Sequence, residues 1–133
     1  MDISASKEVR RHPRLATFRG SGLTIERNNN PGALRKPGSM EFQRYSSPAE
    51  GINAQVGLLG RYHSQGLRNV SDIIEKYAPR TSRGGDNTDA QVNNYIAYTA
   101  KRLGVNPRDA LSPAVLPRLA QAMREFETGR RND

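Results

Sequence analysis

Few side chains in this 133-residue chain can do acid–base or nucleophilic chemistry. It has no Cys, and its two His residues, His12 and His63, stand far apart with no metal-ligand spacing. That excludes thiol catalysis, a disulfide framework and Cys-based zinc sites, and neither a metal nor another cofactor is expected. Carboxylates remain, and Glu26, Glu50, Glu75 and Glu127 are the candidates. A carboxylic acid donates a proton near neutral pH only where apolar surroundings hold it protonated. Glu50 closes the capping box Ser47-Pro48-Ala49-Glu50, and Glu75 is expected on the wet face of a helix. Glu127 follows the apolar Phe126 at a helix end, and Glu26 adjoins a run of three Asn, so these two are the candidate catalytic acids. The plain alternative for Glu127 is a solvated helix-terminal carboxylate.

The Asn run belongs to Arg27-Asn28-Asn29-Asn30-Pro31-Gly32, a stretch of strong turn-formers. Successive Asn side chains compete for neighbouring backbone groups and tolerate left-handed conformations, which disfavours helix and strand. Pro31 fixes one φ and pushes Asn30 towards an extended conformation, while Gly32 is expected to supply the positive φ of a type II turn. A rigid loop rich in amide donors and acceptors should result. Arg27, Asn28, Asn29 and Asn30 are its candidate substrate-binding residues; the structural alternative is a turn whose Asn side chains cap backbone groups.

This run, followed in order by Gly51-Ile52, Tyr77-Ala78-Pro79, Asp86-Asn87-Thr88 and Glu127-Thr128-Gly129, resembles a family of small bacteriophage virion proteins, several of them lysozyme-like or lytic-transglycosylase-like. The resemblance runs from about residue 27 to 129. It implies a lysozyme-like domain, other virion proteins and peptidoglycan as partners, and a place in the phage particle with action at the bacterial cell envelope. It also supports Glu127, which falls at the family's Glu-x-Gly position. Glycan hydrolysis ordinarily requires two carboxylates, whereas a lytic transglycosylase can work with one acid because the sugar's own hydroxyl attacks. Two positions depart from the family pattern. Ala33 stands where Asn is common after Pro-Gly, and Tyr77 where Trp is frequent, so sugar stacking would fall to Tyr or Phe.

The formal net charge of +8, from 21 Lys and Arg against 13 Asp and Glu, implies an anionic partner: nucleic acid, cell-wall polymer or an acidic protein surface. Non-specific DNA contact at low salt is expected, but no nucleic-acid fold signature accompanies the charge. Mean hydropathy is -0.79, and no apolar run is long enough to span a bilayer.

The length suits one domain. Residues 1–22 read as a basic N-terminal arm, 23–129 as a single lysozyme-like domain and 130–133 as a tail. The fold class expected is mainly α (α+β lysozyme-like), with about four to five helices and a small β or irregular lobe. Leu23–Ile25 and Glu41–Tyr45 are candidate strands, with Lys36-Pro37-Gly38-Ser39 as a turn between them. Helices are expected from Ser47 to Gly66, from Asn69 or Ser71 to Tyr77, from Thr88 to Gly104 and from about Pro117 to Gly129, with a brief helical turn at Asn106–Asp109. Arg80–Asn87 reads as a flexible loop.

Two functional readings follow. One is a virion protein that opens peptidoglycan locally during genome entry. The other is a non-catalytic component of the phage tail or neck, anchored by its basic arm.

Overall fold

The computed structural model describes residues 28–39 and 41–129. The expected arm, the Leu23–Ile25 strand, Glu26, Arg27 and the 130–133 tail lie outside the described residues. Those described are mainly helical: α1 (Pro48–Ser64), α2 (Val70–Tyr77), α3 (Asp89–Leu103) and α4 (Leu116–Thr128), with 3-10 turns at Thr81–Arg83 and Pro113–Val115.

Local chemistry accounts for where each helix begins. Ser47 Oγ accepts from the Glu50 amide at 3.2 Å, and Glu50 Oε1 accepts from the Ser46 amide. Asn69 caps α2 by accepting from the Asp72 amide at 2.8 Å. Thr88 and Gln91 close a reciprocal capping box on α3. At α4 the chain passes through a 3-10 turn opened by Pro113 before regular helix begins at Leu116, as Pro117 predicts.

The described residues divide into two compact units, Val56–Met123 and a second formed by those up to Gln55 together with residues 124–129. Within the Val56–Met123 unit, α2 packs against α3. Ile73, Ile74 and Tyr77 of α2 and Val92, Tyr95, Ala100 and Leu103 of α3 are buried at helical spacing, as are Leu116, Leu119 and Met123 of α4. His63 is half-buried and hydrogen-bonds through Nε2 to the Leu111 carbonyl at 2.7 Å.

The segment expected to be a flexible loop is folded. Arg80 and Asn87 form a parallel bridge, the Thr81 amide donates to Asn87 O at 2.8 Å, and Asn87 Nδ2 donates to Pro79 O at 3.2 Å. Tyr77-Ala78-Pro79 and Asp86-Asn87-Thr88 are thereby the two ends of one closed ring, drawn tight where Gly85 meets the Pro79 carbonyl.

The other unit holds a minimal hairpin. Arg35 and Phe42 form one antiparallel bridge, flanked by Lys36 N to Glu41 O and Gln43 N to Leu34 O, both 2.8 Å. Pro37 and Gly38 make the turn. The candidate strand Glu41–Tyr45 amounts to this bridge; its partner is the segment immediately before it.

Candidate functional site

The Asn loop begins this site, and its conformation differs from the one its sequence predicts. The Ala33 amide donates to Asn30 O at 2.9 Å, closing a turn over Pro31 and Gly32. Gly32 does not take a positive φ. The left-handed residues are Asn29 (φ 53) and Ala33 (φ 56). Asn tolerates that region through local hydrogen bonding, whereas Ala33 holds it against the clash of its own Cβ.

The side chains of Asn29 and Asn30 are engaged by the backbone of their own unit. Asn30 is fully buried. Its Oδ1 accepts from the Leu34 amide at 2.9 Å, and its Nδ2 donates to Leu34 O at 2.8 Å and Gln43 O at 3.1 Å. Both amide protons are therefore committed to backbone carbonyls. Asn29 Nδ2 donates to Tyr45 O at 2.9 Å, and the Tyr45 amide donates to Asn28 O at 2.8 Å. Asn28 and Asn29 remain half-buried. The three residues thus tie the loop to residues 43–45, in parallel with the hairpin.

Helix α1 supports the loop from Gly51. A Cβ there would collide with the Asn29 carbonyl and sit 3.1 Å from Pro31 Cδ, so the close approach requires glycine. One turn further on, buried Gln55 accepts from Arg124 Nη1 at 3.0 Å, joining α1 to the end of α4. Glu127 lies three residues beyond Arg124 and is 1% exposed; Glu125, which the sequence did not single out, is also fully buried. The loop, the first half of α1 as far as Gln55 and the last turn of α4 therefore belong to one unit. Glu26 and Arg27, the other site candidates, lie outside the described residues.

The burial of Glu127 restricts any role as an acid, because a sugar oxygen would have to reach a carboxyl that is almost entirely covered. The two Glu set aside behave differently. Glu50 is exposed, and its hydrogen bonds from Ser46 draw its carboxyl below the usual range. Glu75, expected on a wet face, accepts from Arg80 Nε at 3.0 Å to each oxygen and from Nη2 at 2.7 Å. That contact lowers its pKa and raises that of Arg80. Arg80 also reaches Asp89 Oδ1 at 3.1 Å and Asn93 Oδ1 at 2.8 Å.

Among the described residues no three His, Cys, Asp or Glu gather as metal ligands, and no helix is long and apolar enough to cross a membrane. No family model matches the chain. The sequence is similar to Protein P5 of Pseudoalteromonas phage PM2, with 28% identity over 118 residues that take in 77% of this chain and 69% of the relative. The likeness is thus to a bacteriophage protein, over most of both lengths.

Proposed function

We propose that this chain is a structural component of a bacteriophage particle, packed among other virion proteins. The observation that carries this reading is the similarity to a phage protein along 77% of the chain. The Asn loop agrees with it: Asn30 is buried, and the Asn29 and Asn30 amides hold backbone carbonyls of their own unit. A net charge of +8 suits a component that meets anionic neighbours, with residues 1–22 as the anchoring arm. Density-gradient-purified particles of the encoding phage, washed in high salt, should retain the chain at a fixed ratio to the major coat protein by quantitative mass spectrometry. Recovery only from the soluble lysate would overturn the reading.

A second reading is a lysozyme-like α+β domain that cleaves peptidoglycan at the cell envelope during genome entry. The burial of Glu127, in the unit that also holds Asn28, Asn29 and Asn30, favours it. Glu127 or Glu26 would be the acid, and Arg27 with the three Asn would bind glycan. Clearing of purified peptidoglycan that Glu127→Gln or Glu26→Gln abolishes would carry this reading.

A further inference from the structure

The Val56–Met123 unit carries a groove of about 400 Å³ along the outer face of α2. Ser71, Asp72, Glu75 and Lys76 form its α2 side, Arg83 enters from the 3-10 turn after α2, and Arg108 from the turn after α3. The Pro107 carbonyl accepts from the Ser71 amide at 3.0 Å, which fixes the Arg108 turn beside α2.

Three cations from three separate segments converge on this groove, and its two carboxylates are already engaged. Asp72 Oδ1 pairs with Arg108 at 3.1 Å; Glu75 is held by Arg80 and lies 3.8 Å from Arg83. The arginines differ in how firmly they are held. Arg80 is 16% exposed and locked, whereas Arg83 and Arg108 are 67% and 75% exposed, where ion pairs are weak and readily exchanged. These two guanidiniums are kept at the groove mouth yet can exchange a carboxylate for a better bidentate anion.

We propose that this groove binds the phosphate backbone of nucleic acid, with Arg83, Arg108 and Lys76 as its phosphate contacts. Charge complementarity favours that occupant: the unit holds nine Lys and Arg against five Asp and Glu. The groove is concave, and Leu67 is the one apolar side chain in its lining, which is poorly suited to insertion into a lipid surface. The inference draws on the particle reading only for the nearness of a genome.

Fluorescence anisotropy of the full chain with a labelled 20-base-pair duplex, across a salt series, tests it. Substituting Lys76→Ala, Arg83→Ala and Arg108→Ala together should lower the salt slope by about 3, roughly one per phosphate contact, and weaken binding at least about tenfold at low salt. A control triple of equal charge, Arg44→Ala, Lys101→Ala and Arg118→Ala, all exposed and outside the groove, should lose less than a third of that slope. Asp72→Asn should tighten binding about two- to threefold by releasing Arg108 and removing a negative charge. Thermal midpoints establish that each variant is folded. Equal losses in both triples, no duplex binding by the parent, or groove-dependent binding of poly-glutamate or phosphatidylglycerol vesicles as tight as that of duplex would each overturn the proposal. A chain absent from particles that still binds duplex through these residues would sink the particle reading and leave this one standing.

Discussion

Adding one methyl group at Gly51 sets two effects against each other, and their magnitudes decide the outcome. Ala in place of Gly within a helix gains about 1 kcal/mol of propensity. The new Cβ would overlap the Asn29 carbonyl and crowd Pro31, so helix or loop must shift, at about 1–3 kcal/mol or more. Gly51→Ala is therefore expected to lower the urea midpoint, whereas Gly57→Ala, where the nearest atom is an Arg61 side-chain nitrogen at 3.9 Å, should raise it or leave it unchanged. Stabilisation at Gly51 would contradict the packing described. The sequence predicted a rigid turn at residues 27–32 because Asn, Pro and Gly act on their own backbone. It could not predict that the amides reach residues 34, 43 and 45, since those partners depend on how the hairpin returns. The exchange of the positive φ from Gly32 to Ala33 has the same origin. A left-handed backbone at position 33 suits Asn better than Ala on conformational grounds alone.

Capping is local, and the four helices begin at or next to the Ser, Asn, Thr and Pro residues that mark them in the sequence. The Arg80–Asn87 segment, whose glycines predict a flexible loop, is instead closed by hydrogen bonds, because it pairs across its own length and because the acceptors of Arg80 lie on both α2 and α3. Arg80→Gln should therefore loosen both helices and the ring together, lowering the thermal midpoint at neutral pH as the charge-assisted hydrogen bonds are lost. The pH dependence follows from Glu75. Its folded pKa lies below the ordinary value of 4.5, so its contribution is fully present above that value and fades as pH falls through the lower, folded one. Thermal melts of parent and variant should differ most near pH 7 and converge as the pH is taken well below 4.5. A constant gap across that range would mean that Arg80 acts through packing of its stem and not through the ion pair.

On the scale of the molecule, what the sequence leaves open is whether the buried end of α4 is a catalytic centre or a structural one. Apolar spacing at Leu116, Leu119, Met123 and Phe126 predicts one inward face, yet Glu125 and Glu127 are buried as well. A pattern read from one helix cannot reveal that its polar face is covered, because that depends on the rest of the chain. A fold leaves chemistry undecided in the same way. The two roles separate when stability and activity are measured on the same variants. Glutamine keeps the shape of glutamate but replaces a charged or protonated oxygen with an amide, so a structural Glu127 should lose about 1–3 kcal/mol of stability on Glu127→Gln. Glu125→Gln should behave alike, and neither parent nor variant should clear peptidoglycan. A catalytic acid at Glu127 gives the opposite pattern: clearing by the parent, a loss of about a hundredfold or more in Glu127→Gln, and a nearly unchanged thermal midpoint. With the Asn29 and Asn30 amides bound to their own backbone, the first pattern is the one expected. Clearing that survives Glu125→Gln and fails only in Glu127→Gln would reverse that ranking and make the end of α4 the active site.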